Sequence, residues 1–314
     1  MSRFHPDLTR AWFVPKAVVG PRTYRLARIG SRLQRGARDV EVVEVAPGVT
    51  ARIHRPPGGN PSPGGKPPLS GETTPHPPGS TAPAVLYLHG GGYVIGSATL
   101  GDRFCARLAG HLGVVVAAVD YRLAPEHPYP TPLHDAHAAL RWLAAQPEVD
   151  AQRIALVGES AGGGLAAALA LHVRDVGELR PVLQVLSYPM LDDRTTHGGL
   201  DPAVLRLWSQ RSNRFGWDAY LSRLAGGQVP ATAAPARADD LAGLPATWIG
   251  VGTNDLFHAE DVAWARRLDA AGVRCELLEV DRAYHGFDAV EPGAAVSRAF
   301  LRARLAALRV AFAG

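Results

Sequence analysis

The chain has 314 residues, 46% of them hydrophobic and 20% charged. These are ordinary globular values, which exclude wholesale disorder and leave enough length to bury a substantial core as one domain, residues 1–314, carrying insertions. The net charge of +4 is borne almost wholly by arginine, with Lys16 and Lys66 the only lysines; the arginines are scattered along the chain, so no nucleic-acid face is expected and composition bias accounts for the charge.

Residues 1 to 38 are helical and aromatic-bearing and stand outside the pattern of the rest. They interleave Arg3, Asp7, Arg10 and Lys16 with brief apolar runs and contain no continuous signal-peptide core. No apolar run nears the roughly 18 residues of a membrane-spanning helix, so no stable membrane insertion is expected. Val40 to Val45 and Thr50 to His54 read as a strand pair. From Pro56 to Pro83 the chain turns to proline and glycine with Ser, Thr and Asn, a composition that buries too little to order itself; residues 56–83 read as a mobile surface loop.

Beyond it, short Val/Ile/Leu-rich runs alternate with helical patterns. The runs are Val85 to Leu88, Val114 to Val119, Ile154 to Val157, Val182 to Leu186, Thr247 to Val251 and Cys275 to Val280. Pro132 to Gln146, Leu165 to Val173, Ala259 to Ala271 and Ala294 to Phe312 repeat apolar residues at helical spacing. This alternation predicts an α/β fold with a mostly parallel central sheet flanked by helices. Asp192 to about Asp240 breaks it, and with residues 1–38 reads as a helical cap. Cys105 and Cys275 are too few and too far apart for a disulfide framework, which points to a reducing, cytoplasmic setting.

Gly158-Glu159-Ser160-Ala161-Gly162 frames a serine as G-x-S-x-G between an apolar strand and an Ala-rich helix. Such a sharp strand-to-helix turn lifts the serine Oγ out of the sheet, where it can act as a nucleophile. A nucleophilic serine needs a base within hydrogen-bond reach and an acid that fixes the base's tautomer. Twelve histidines compete for the first role. His285, in Ala283-Tyr284-His285-Gly286-Phe287 just past the last strand, is placed to deliver an imidazole over the sheet edge. Asp255 follows the strand ending at Val251, again at a strand's carboxyl end, where sites of open α/β sheets form; Glu260 and Asp261 are its rivals. The order Ser160, Asp255, His285 is that of the α/β-hydrolase fold. His89-Gly90-Gly91-Gly92 follows the strand Val85 to Leu88, and its glycines let backbone N–H groups approach a substrate oxygen. The expected oxyanion donors are Gly91, Gly92 and Ala161.

Taken together, His89-Gly90-Gly91-Gly92-Tyr93, Asp120-Tyr121-Arg122-Leu123-Ala124-Pro125-Glu126-His127-Pro128, Gly158-Glu159-Ser160-Ala161-Gly162-Gly163, Tyr188-Pro189 and His285-Gly286-Phe287 resemble the hormone-sensitive-lipase-like carboxylesterases, bacterial family IV. The resemblance runs from about residue 84 to the C-terminus. It implies a serine esterase with Ser160 as nucleophile, Asp255 as acid, His285 as base and a cap over the pocket, acting on short- to medium-chain esters. Three departures stand out: Glu159 where aspartate is common, Leu256 where proline is frequent after the acid, and the length of the 56–83 loop.

His134, Asp135 and His137 share a helix face, but no third and fourth ligand lies at usable spacing, so no metal is expected and the three read as a solvated helix start. No other cofactor is called for: G-x-G-x-x-G and the P-loop signature are both absent. Trp12, Phe13, Trp208, Phe215, Trp217 and Tyr220 either line an acyl pocket or pack cap helices together. The partner expected is a small-molecule ester, with a homodimer left open. The same elbow and donors would serve an amidase or deacetylase. A non-catalytic receptor, like the plant gibberellin receptors that resemble this family, would have lost the base that His285 supplies here.

Overall fold

The computed structural model describes residues 3–17, 19–33, 36–37, 40–56, 81–195, 200–224 and 226–313. Almost all of the 56–83 loop therefore lies outside the described residues. Eight strands form one sheet: β1 (Glu41–Ala46), β2 (Val49–His54), β3 (Ala82–Leu88), β4 (Val115–Asp120), β5 (Val149–Glu159), β6 (Leu183–Ser187), β7 (Ala246–Gly252) and β8 (Cys275–Val280). Their order is β1-β2-β4-β3-β5-β6-β7-β8. The first hairpin joins antiparallel, with β2 against β4, and every later pairing is parallel. The mostly parallel sheet expected from the sequence is present, and the parallel strands begin and end within a few residues of the apolar runs.

The central strands read as continuous apolar runs because both faces are covered. Side chains alternate across the pleat, and β3 shows the consequence: Ala84, Leu86 and Leu88 enter one core while Val85 and Tyr87 enter the other. The first core is closed by α3 (Thr131–Ala144), α4 (Ala161–Val176) and α6 (His258–Ala270), the second by α2 (Asp102–Leu112) and α8 (Ala295–Ala313). α2, unmarked in the sequence reading, ends on Gly113 in the left-handed conformation, φ 68°, the usual stop that glycine allows.

α1 (Tyr24–Leu33), α5 (Gln210–Tyr220) and the loops around them lie outside this sandwich. Residues 3–17 and 19–28 run across the carboxyl end of the sheet, held mainly through backbone atoms. Asn254 Nδ2 donates to Arg3 O (2.8 Å), Arg206 Nε to Ala11 O (2.6 Å), Leu207 N to Pro15 O (2.8 Å) and Ser212 Oγ to Val19 O (2.6 Å). Arg28 then ties α1 to the loops after β3 and β4, donating to Val94 O and Ala124 O. No described helix is long and apolar enough to cross a membrane.

Candidate active site

β5 ends at Glu159 and α4 begins at Ala161, so Ser160 alone makes the turn, at φ 57° and ψ −122°. A positive φ at a residue with a Cβ costs on the order of 1–3 kcal/mol and persists only where the surroundings enforce it. Here they do: Ser160 N donates to Ser187 O (2.9 Å), and Ser160 O accepts from Met190 N and Gly164 N (both 3.0 Å). The turn also needs a bare backbone at Gly162, where a Cβ would stand 2.1 Å from Leu88 O. That close approach seats the elbow on the end of β3, beside the His89 loop.

Three strand-end loops meet there. His285 Nε2 lies 2.9 Å from Ser160 Oγ, and His285 Nδ1 lies 2.8 Å from Asp255 Oδ2. A carboxylate only accepts, so Nδ1 carries the proton and Nε2 presents its lone pair to the serine hydroxyl. Asp255 is fully buried, and its other oxygen accepts from Phe257 N at 3.0 Å. Tyr188 and Phe257 pack edge-on against the imidazole, with centroids at 4.8 and 5.3 Å, and restrict its rotation.

The two rival carboxylates are otherwise placed. Glu260 Oε1 accepts from Leu191 N (2.7 Å) and Asp192 N (3.1 Å), pinning the loop after β6, and burial pushes its pKa up to about 8. Asp261 is fully buried too, with both oxygens unpartnered among the described residues, and burial raises its pKa well above the usual carboxylate range. Leu256, which stands where proline is frequent after the acid, is buried beside Asp255 while the His285 contact is kept.

Among the described residues, neither Gly91 nor Gly92 donates its amide to a protein acceptor. Ala161 opens α4, where the amide has no intrahelical partner and the helix dipole favours negative charge. Gly92 has φ 60°, and a Cβ there would stand 2.0 Å from the Trp208 ring, so Trp208 is pressed against this loop. His89 itself is engaged in scaffold contacts: its ring stacks on Tyr121 at 4.2 Å, its Nδ1 meets Gly90 O at 2.7 Å, and burial lowers its pKa. The Asp120–Pro128 stretch is scaffold for the same loop, with Tyr121 Oη donating to His89 O (2.6 Å) and Asp120 Oδ1 accepting from Ala98 N (2.7 Å).

Sequence reasoning missed an ionic hub beneath the elbow. Arg304 of α8 reaches Ser187 Oγ (3.3 Å) and Asp288 Oδ2 (2.7 Å), both buried, and the partly buried Glu159 Oε1 (2.8 Å). Tyr87 and Tyr188 donate to the remaining oxygens of Glu159 and Asp288 (3.0 and 2.8 Å). Burial pushes the Glu159 carboxyl upward even against the Arg304 charge. The signal was a lone carboxylate ending an apolar strand, which requires a buried cation somewhere; nothing in the spacing identified residue 304.

The solvated helix start expected at His134 to His137 holds for His134, which is exposed, but not for its neighbours. Asp135 is 2% exposed, because Arg122 from the strand-end loop grips it through two nitrogens at 2.6 and 3.0 Å. His137 turns instead to His172 (3.3 Å) and Glu178 (3.3 Å). Of the six aromatics, Trp208, Trp217 and Tyr220 are buried, whereas Trp12 and Phe13 are exposed.

The family profile described as alpha/beta hydrolase fold matches residues 85–289. Esterase LipI of Mycobacterium tuberculosis is 39% identical over 215 residues, 66% of each chain. Ethyl acetate hydrolase of Pseudomonas putida is 38% identical over 225 residues, 67% of each. Among solved structures, an esterase from the bacterial hormone-sensitive lipase family superposes with a TM-score of 0.78 at 29% identity, covering 99% of this chain and all of that one. The chain therefore belongs to the α/β-hydrolase fold family, among its carboxylesterases of the hormone-sensitive-lipase kind.

Proposed function

We propose that this protein hydrolyses short- to medium-chain carboxylic esters through an acyl-enzyme on Ser160. One observation carries the reading: the unbroken contact from Ser160 Oγ through the imidazole of His285 to the buried carboxylate of Asp255, at 2.9 and 2.8 Å. His285 takes the hydroxyl proton as Oγ attacks the ester carbonyl carbon, and Asp255 stabilises the imidazolium. The carbonyl oxygen, now an anion, is received by the amides of Gly91, Gly92 and Ala161, each contributing roughly 2.7–4 kcal/mol at the transition state. His285 returns the proton to the leaving alcohol, and water repeats the cycle to release the acid.

The cap belongs to the same proposal. Its elements are residues 1–38 and about 192–240, whose described parts hold to loops at the site end of the sheet, and Trp208 against the Gly92 loop limits the room beside the reacting carbonyl. The relative named for ethyl acetate supports a small acyl group. A cytoplasmic location fits the two cysteines, both free.

Ser160→Ala should lower hydrolysis of a nitrophenyl acetate by at least about 10⁴-fold and abolish labelling by a fluorophosphonate. Near wild-type activity in that variant would overturn the mechanism. A matched acetamide turned over faster than the acetate would replace esterase by amidase, and a chain-length series peaking at long acyl groups would remove the small pocket.

A further inference from the structure

Charge is unevenly distributed in this chain, although its arginines looked scattered. Residues 1–38 hold nine of the 33 basic residues and one of the 29 acidic ones, a net +8 against −4 for all that follows. Arg3, Arg10, Lys16, Arg22 and Arg25 are all exposed. The same segment carries four of the eight large apolar side chains most open to solvent among the described residues: Phe13 at 87%, Leu26 at 72%, Trp12 at 58% and Ile29 at 54%.

α1 shows how this arises. Tyr24 is buried, packing on Phe215, and Arg28 is held by Val94 O, Ala124 O and Glu126. Residues three apart share a helix face, so Leu26 and Ile29 form an apolar stripe on the opposite side, with Arg25 at its edge. An amphipathic helix in a globular protein ordinarily turns that stripe inward; this one turns it to solvent and anchors itself by a tyrosine and an arginine. Apolar and basic side chains exposed together are the composition of an interfacial surface element.

We propose that residues 3–29 form a docking surface for an anionic lipid bilayer. A second copy of the chain is the poorer occupant, because two-fold pairing would set one surface of six basic residues and one acidic residue against another. Phosphate of a nucleic acid would satisfy the arginines but leave Leu26, Ile29 and Phe13 without an apolar partner. The bilayer satisfies both sets: anionic headgroups for the cations, the acyl boundary for the apolar tips. Its location adds a consequence. Several anchors of this segment, among them Asn254 and Val94, sit in loops that follow strands at the carboxyl end of the sheet, the end that bears Ser160, and others, such as Ser212, sit in α5. Docking would hold that end against the membrane, where esters of low water solubility collect. The binding itself does not depend on the proposed chemistry of Ser160.

The test is co-sedimentation of the full chain with phosphatidylglycerol-rich vesicles against pure phosphatidylcholine vesicles at low and high salt. Preferential, salt-sensitive partition onto the anionic vesicles is expected. Arg22→Glu/Arg25→Glu should weaken it at least about tenfold, and Leu26→Ser/Ile29→Ser should also weaken it, both retaining fluorophosphonate labelling as the control for fold. Equal partition onto the two lipids, or anionic binding unchanged in either double variant, would overturn the proposal. So would full displacement by an equal charge of duplex DNA, or a dimer in sedimentation velocity that Leu26→Ser/Ile29→Ser dissociates.

Discussion

His285 depends on Asp255 for its tautomer, and the carboxylate makes a second bond that the sequence did not suggest, to Phe257 N. Asp255→Asn would keep the shape but offer an N–H or a weaker acceptor to Nδ1, so kcat for a short ester should fall by about 10⁴-fold with little change in KM. Glu260 provides a separate test. Its folded pKa of about 8 lies above the ordinary 4.5, so between those values the native state holds a proton that the unfolded chain has released. Stability must then fall as pH rises through that window, by an amount on the order of a few kcal/mol. Glu260→Gln keeps an acceptor for Leu191 N and Asp192 N while removing the titration. Its denaturation midpoint should vary less between about pH 5 and about pH 8 than that of the wild type.

At the scale of elements, α8 holds together two loops that must stay in register. Glu159 adjoins Ser160 and Asp288 lies three residues after His285, and Arg304 bonds both carboxylates from one guanidinium. Arg304→Met would leave the buried Asp288 and the partly buried Glu159 without their shared cation, a loss of up to about 3–5 kcal/mol. Adding Glu159→Gln and Asp288→Asn should restore most of that stability, since the penalty comes from uncompensated charge rather than from the missing pair. A positioning role then appears as a kcat deficit that persists in the restabilised triple variant. The element boundaries show why the hub was hidden while the strands were not. Burial on both faces writes an apolar run directly into the sequence of β3, β5 and β6. The partner of Glu159 sits 145 residues away in the chain, and no periodicity records a contact of that kind. Asp135 failed for the same reason, because its burial depends on Arg122 of another element. The triad candidates were legible because each stands in a local pattern, glycine-framed or at a strand end, that the loop geometry itself requires.

Across the whole molecule, the segment before β1 behaves as a strap. Phe4 is 1% exposed and lies edge-on to Tyr284 at 6.1 Å, next to His285, while the Arg206 guanidinium sits 4.5 Å above its ring. Arg206 in turn donates to Ala11 O and to Ala203 O and Leu205 O, so one aromatic side chain joins the His285 loop to the segment that follows β6. The irregular sequence of residues 3–20 disguised this, because its apolar residues are spaced by the surface they cross rather than by a helix or strand period. Phe4→Ala should remove about 3–5 kcal/mol of stability, the usual cost of emptying a buried aromatic site. It would also withdraw the ring beneath Arg206, so the strap and the 200–224 segment should loosen together. Faster amide exchange in both segments, with the exchange of β3 and β5 unchanged, is the expected signature in a hydrogen-exchange measurement. A uniform increase across the sheet would mean instead that the strap is an integral part of the core, and that it and the 200–224 segment have no local unfolding of their own.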